Sequence, residues 1–140
     1  MAAFILDASV AISWCFPGDP TEANAYSRRI LKELASNDAI VPEVWAFEIA
    51  NSIFVSFIKR KRITEDQIRE YLLLLKALPI RVESQNLWAN VDLESIARRR
   101  NVPAYDAAYL DLARRTGLPL ATSDTLLRQA ARAEGITLII

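Results

Sequence analysis

The chain has 140 residues, 52% of them hydrophobic, with 17 basic and 17 acidic side chains. That length and apolar share suit a single domain, residues 1–140, with one core, and the zero net charge gives no whole-molecule field to draw in a nucleic acid. With no histidine and only one cysteine, Cys15, the sequence excludes Ser-His-Asp and Cys-His catalysis, an intrachain disulfide, and histidine- or cysteine-based zinc sites.

The N-terminus lacks the basic start of a secretion signal, and Asp7 interrupts the apolar run that a signal needs. No stretch offers about 18 uninterrupted apolar residues, so no membrane span is expected and a cytoplasmic location is. Phe4-Ile5-Leu6 predicts a short buried strand. Ser9 to Cys15 predicts a brief helix, stopped by the turn signal Pro17-Gly18-Asp19-Pro20. Thr21 to Ala35 reads as a helix with Ala25, Ile30, Leu31 and Leu34 on one side, and Ala39 to Val41 as a second strand. Pro42 then suits the start of a long helix from Glu43 to about Lys61, apolar on nearly every face and therefore expected to be buried.

Thr64-Glu65-Asp66-Gln67 fits the capping box of a further helix. Ile80 to Val82 predicts a strand and Leu87 to Arg100 a helix. Pro103 to Thr116 predicts another helix, closed by Gly117 and Pro119. The remaining chain reads as a strand from Leu118 to Thr122, a helix from Ser123 to Glu134 stopped by Gly135, and a last strand from Thr137 to Ile140. Short apolar strands alternating with helices indicate an α/β fold whose parallel sheet is covered on both faces. The basic runs Lys59–Arg62, Arg98–Arg100 and Arg114-Arg115 fall at helix C-termini. There they either complement the helix dipole in solvent or touch phosphates. Leu31, Leu34, Ile68, Leu72 and Leu75 serve either the core or a groove for an amphipathic partner segment.

Four acids stand out: Asp7, Glu48, Asp106 and Asp124. Ligands of open parallel sheets bind beyond the carboxyl ends of the strands, and Asp7 and Asp124 both fall there. Taken alone, each is equally a helix cap, but Ser9, Thr122 and Ser123 lie close enough to cap instead and leave the carboxylates free. Glu48 sits in a strongly apolar helix, where an unpaired glutamate is costly. It serves either a site or a buried ion pair with an arginine. Asp106 is expected in a first helical turn. Asp111, about 140° further round that helix, cannot share its face and reads as solvent-facing or a supporting group.

Two carboxylates about 5 Å apart repel by roughly 3 kcal/mol at an effective dielectric near 20, so four together call for protons or a cation. An all-oxygen set suits Mg²⁺ or Mn²⁺, whose acidified water supplies the nucleophile that histidine cannot. Hydroxyls of Ser9 and Thr122 are placed to orient ligands or waters.

The segments Phe4-Ile5-Leu6-Asp7-Ala8-Ser9-Val10, Glu48-Ile49-Ala50-Asn51, Tyr105-Asp106-Ala107-Ala108-Tyr109 and Ala121-Thr122-Ser123-Asp124, with Leu127, resemble the PIN-domain nucleases. The chain looks most like the VapC-type ribonuclease toxins of bacterial toxin–antitoxin pairs, over nearly its whole length. The resemblance implies an α/β/α sandwich around a parallel sheet of about five strands. It also implies Mg²⁺- or Mn²⁺-dependent cleavage of RNA. The family's acidic quartet carries over to Asp7, Glu48, Asp106 and Asp124, and its polar helpers to Ser9, Asn51 and Thr122. A homodimer and a cognate VapB-type antitoxin are the partners it implies. The alternatives are a non-catalytic binding module on the same fold and a small metal-dependent phosphohydrolase. The haloacid dehalogenase type of the latter needs a second Asp two residues after the first, where Ser9 stands. Both it and a response-regulator receiver need a late lysine, and none follows Lys76.

Overall fold

The computed structural model describes residues 3–16, 18, 24–84, 86–90 and 92–140. Four parallel strands form its sheet: β1 (Phe4–Leu6), β2 (Ala39–Pro42), β3 (Ile80–Glu83) and β4 (Leu120–Ala121), in spatial order β3-β2-β1-β4. β1 and β2 are buried along their whole length. Central parallel strands have both faces covered, which is why they read as unbroken apolar runs. Each fully buried Ile or Leu side chain of β1 contributes roughly 1.5–3 kcal/mol.

Helices flank the sheet to make the expected α/β sandwich: α1 (Ala8–Ser13), α2 (Ala25–Glu33), α3 (Val44–Phe54), α4 (Glu65–Ala77), α5 (Leu87–Asn90), α6 (Leu93–Arg100), α7 (Ala104–Thr116) and α8 (Thr125–Ala133). α7 packs on β1 and β2, with Ala107, Ala108, Tyr109, Leu110, Leu112 and Ala113 all inside. Alanines at 107, 108 and 113 let it lie close to the sheet. The chain passes from β1 outward through β2 to β3, then returns to place β4 on the other side of β1. That reversal opens a crevice at the carboxyl ends of β1 and β4.

Several elements differ from the sequence-based expectation. The expected fifth strand, Thr137 to Ile140, is a single parallel bridge between Leu120 and Leu138. Leu120 donates its N–H to the Thr137 carbonyl at 2.9 Å, and Ile139 donates to the Leu120 carbonyl at 2.9 Å. A two-residue β4 offers no more ladder than that, so the sheet has four strands among the described residues. The long helix from Glu43 becomes α3 followed by a π-helical turn, Val55–Lys59. Nor is it buried: in α3 Trp45 and Ile49 are inside, whereas Phe47 and Phe54 are exposed, and so is Ile58 in the π turn. The helix expected over Leu87 to Arg100 breaks into α5 and α6 because Asp92 caps α6, accepting from the Ser95 N–H. Only α2, capped by Asn24, represents the Thr21–Ala35 helix. Thr21 and all of the Pro17–Pro20 turn except Gly18 lie outside the described residues.

Other local signals are met. Thr64 and Gln67 form the capping box of α4, and Gly117 closes α7 at φ +70°, a left-handed geometry that glycine adopts without a Cβ penalty. Leu34 and Leu75 are core residues. Leu72 and Leu75 also line a mostly apolar groove of about 620 Å³ with Trp45, Ile49, Ile53 and Val82.

Candidate active site

Asp7 follows β1 directly, and its N–H donates to the Ala121 carbonyl at 2.9 Å, extending the β1–β4 ladder by one residue. This bond sets the β1–α1 turn beside the β4–α8 turn. Thr122 Oγ1, wholly buried, donates to Asp7 Oδ2 at 2.6 Å and accepts from the Asp124 N–H at 3.0 Å. Ser9 Oγ donates to the same Asp7 oxygen at 2.6 Å and accepts from the Ser123 N–H at 3.3 Å. Both hydroxyls therefore fall on Oδ2. Burial pushes the Asp7 carboxyl above the usual carboxylate range; the two hydroxyls pull it back in part, and Asp124 adds repulsion.

Asp124 departs from the expectation that neighbouring hydroxyls cap the helix. It is itself the N-cap of α8: Oδ1 accepts from the N–H groups of Leu126 (2.9 Å) and Leu127 (3.3 Å). The neighbouring hydroxyls are turned toward Asp7 instead, so capping falls to Asp124. Asp7 occupies the N-cap position of α1 without a side-chain capping bond.

Asp106 lies in the first turn of α7, half-buried, and burial followed by repulsion from Asp7 and Asp124 raises it to about 6. Glu48, on α3, is raised to about 7 by burial and by repulsion from Asp7 and Asp106, against the pull of a hydrogen bond. That bond comes from Tyr109, whose hydroxyl donates to Glu48 Oε1 at 2.8 Å and accepts from the Ala8 N–H at 3.2 Å. Among the described residues no arginine or lysine pairs with Glu48, so the ion-pair alternative gives way to a tyrosine. The four acids thus come from four separate parts of the chain and lie near enough to repel one another.

Asn51 lies one turn beyond Glu48 and shares with it, Ser52, Ile12, Val44, Phe47 and Tyr105 an open cavity of about 670 Å³. It makes no bond to the Glu48 carboxylate. Asp111 points elsewhere, largely covered and ion-paired with Arg115 at 2.9 Å.

Sequence reasoning missed two supporting residues. Tyr109, fully buried, reads in the sequence as an ordinary core aromatic, though its place three residues after Asp106 puts both on one side of α7. Arg128 donates from Nε to the Thr122 carbonyl at 2.8 Å, and its guanidinium lies 4.8 Å from the ring centre of Tyr26. Tyr26 in turn donates its hydroxyl to the Ile139 carbonyl at 2.7 Å.

The donor set is oxygen-only, which suits a hard divalent cation. Three carboxyls held above their ordinary range are relieved by added positive charge. Among the described residues no three acidic side chains converge closely enough to form a ready-made metal cage. In chemistry, the carboxylates of Asp7, Glu48, Asp106 and Asp124 suit an ion that retains several waters, as Mg²⁺ does.

Glu134, with only 6% of its side chain exposed, receives Arg99 at 2.6 Å, Arg100 at 3.0 Å and Arg114 at 3.4 Å. Arg98 pairs with Glu94 on the surface. The Arg98–Arg100 run is therefore ion-paired within the protein, while Arg98 and Arg99 keep much of their side chains in solvent.

Comparison with known proteins agrees with this architecture. The family model described as PIN domain matches residues 4–133. No curated protein matches the chain. The crystal structure of PAE2754 from Pyrobaculum aerophilum is similar over 93% of this chain and 87% of that one, at 22% identity and a TM-score of 0.64. That likeness shows the fold. A PilT N-terminus domain protein, SSO1118, from the archaeon Sulfolobus solfataricus P2 is similar over 99% of this chain and 86% of that one, at 15% identity and a TM-score of 0.49.

Proposed function

The chain belongs to the PIN-domain family, whose members are generally metal-dependent nucleases, and on that footing we propose that it is an Mg²⁺- or Mn²⁺-dependent endoribonuclease. We read it further as the toxin of a toxin–antitoxin pair, with a VapB-type antitoxin and a second copy of itself as partners. The observation that carries the nuclease reading is that Asp7 and Asp124, joined through the Thr122 hydroxyl at the ends of β1 and β4, lie near enough to Glu48 and Asp106 for the four to repel one another. Such crowding is unfavourable for a scaffold and useful for a cation site.

Asp7, Glu48, Asp106 and Asp124 are the residues that hold the ion. When bound, it supplies Lewis acidity that makes a water nucleophilic and offsets charge on the scissile phosphate. The chain's own groups do the remaining work. Ser9 and Thr122 fix Asp7 through Oδ2. Tyr109 holds Glu48 against α1. Asn51 lines the cavity beside Glu48, where its amide faces whatever the cavity admits.

Cleavage of end-labelled cellular RNA tests the proposal, with Mn²⁺ or EDTA, in the wild type and in Asp7→Asn. Cuts that require Mn²⁺ and vanish in Asp7→Asn are expected. Folded wild type that leaves every RNA intact with Mn²⁺ returns the protein to the binding-module reading.

A further inference from the structure

The cavity beside Glu48 is walled by two aromatic rings that the fold leaves in solvent: Phe47 is 78% and Tyr105 61% exposed. Single exposed apolar side chains are ordinary, but two aromatics on one cavity that also carries Glu48 and Asn51 are a constellation. They come from different elements, Phe47 from α3 and Tyr105 from α7, and each is the immediate neighbour of an acid, Glu48 and Asp106. Between them the wall carries the Asn51 side chain, which makes no hydrogen bond among the described residues. An amide offers both a donor and an acceptor.

Charge narrows what such a cavity can hold. No lysine or arginine lines it, so the cavity wall itself offers a phosphate no cation. A strand of nucleic acid entering here finds little to grip its phosphates, so its attachment has to come from the faces of its bases. Aromatic side chains supply that grip to unpaired bases and not to bases already stacked in a duplex. We infer that Phe47 and Tyr105 form a stacking clamp that holds an unpaired nucleobase next to the acidic pocket, with Asn51 reaching its edge. The inference rests on the nuclease reading above and adds to it the residues that select an unstacked nucleotide.

Binding measured without cleavage tests it. The Asp7→Asn protein is titrated into a fluorescent pool of mixed-sequence single-stranded RNA, the same pool annealed to its complement, and an abasic strand of equal length. Preference for the base-bearing single strand over the abasic one is expected at roughly tenfold. Adding Phe47→Ala and Tyr105→Ala is expected to abolish that preference, while Phe47→Tyr and Tyr105→Phe keep it. Both positions face solvent, so melting temperatures stay the same and a folding defect is recognised directly. Equal binding of abasic and base-bearing strands, or an undiminished preference in the alanine variant, overturns the clamp and leaves the rings as a face for a polypeptide. Base-dependent binding in a protein whose wild type cuts nothing overturns the nuclease reading but not the clamp. Asp7-dependent cutting with no base preference does the reverse.

Discussion

At the scale of single residues, the site depends on hydroxyls that each serve two partners. Tyr109 is the clearest case, because its oxygen joins the Ala8 N–H to Glu48 from inside the core. Tyr109→Phe keeps the ring and its packing but leaves a backbone donor and a carboxylate oxygen short of a partner. It is expected to cost about 1–2 kcal/mol in urea unfolding. It should also slow cleavage by roughly tenfold, since groups that orient metal-binding carboxylates act on that order. Unaltered cleavage in a measurably destabilised Tyr109→Phe protein would confine the hydroxyl to the core. The positions of the acids were legible from sequence because each interrupts an apolar pattern or begins a helix. Which group caps and which stays free was not, since Asp7, Ser9, Thr122, Ser123 and Asp124 all have capping chemistry and only their spatial arrangement separates them. Tyr109 was hidden for a related reason: a buried hydroxyl leaves no mark in hydrophobic periodicity.

Between elements, the Glu134 cluster has a task that its sequence position does not suggest. It joins the C-terminal ends of α6 and α7, through Arg99, Arg100 and Arg114, to the end of α8. The N-terminal ends of α7 and α8 carry Asp106 and Asp124. Burial raises the Glu134 carboxyl, but hydrogen bonds from Arg99 and Arg100 outweigh it, and the net shift is downward. A lowered carboxylate contributes stability above its unfolded value, near 4.3 in model peptides, and loses it as the pH falls through the folded value. Glu134→Gln is therefore expected to lower stability at pH 7 by about 1 kcal/mol, discounted because the arginines are partly in solvent. The gap to wild type should close in acid. A gap that persists at a pH of about 2–3 would assign the effect to packing. Here sequence reading saw three basic runs at helix ends and placed them correctly. It could not see that one distant glutamate engages two of them, because long-range ion pairs have no local signature. The α5–α6 break, by contrast, was readable: Asp92 and Ser95 carry an ordinary capping spacing that the apolar pattern of Leu87 to Arg100 overrode.

Across the whole molecule, the quartet is drawn from residues 7 to 124, so its electrostatics report on the assembled fold. Asp106 at about 6 and Glu48 at about 7 are both raised. Raised carboxyls favour the folded state below their unfolded values, and that contribution is lost as pH rises through 6 and 7. Metal-free protein is therefore expected to lose melting temperature over that interval, and Mn²⁺ to restore it. Because the ion has to displace protons, its effect should be small near pH 5 and grow toward pH 8. At a hundredfold excess over its Kd the stabilisation is about 2.7 kcal/mol. A Mn²⁺ shift that is absent at every pH, or unchanged by Asp106→Asn, counts against a cation site built from these acids.

The order of the sheet also bears on when the protein can first act. β4 is the last strand to be made, yet it lies against β1, the first, and the turn after it brings the Thr122 hydroxyl to Asp7. A growing polypeptide that has reached only β3 possesses Asp7 and Glu48 but lacks Asp106, Asp124 and the threonine that seats Asp7. The Thr122–Asp7 contact and the full set of four acids therefore require β4 beside β1, so an unfinished chain cannot assemble the site.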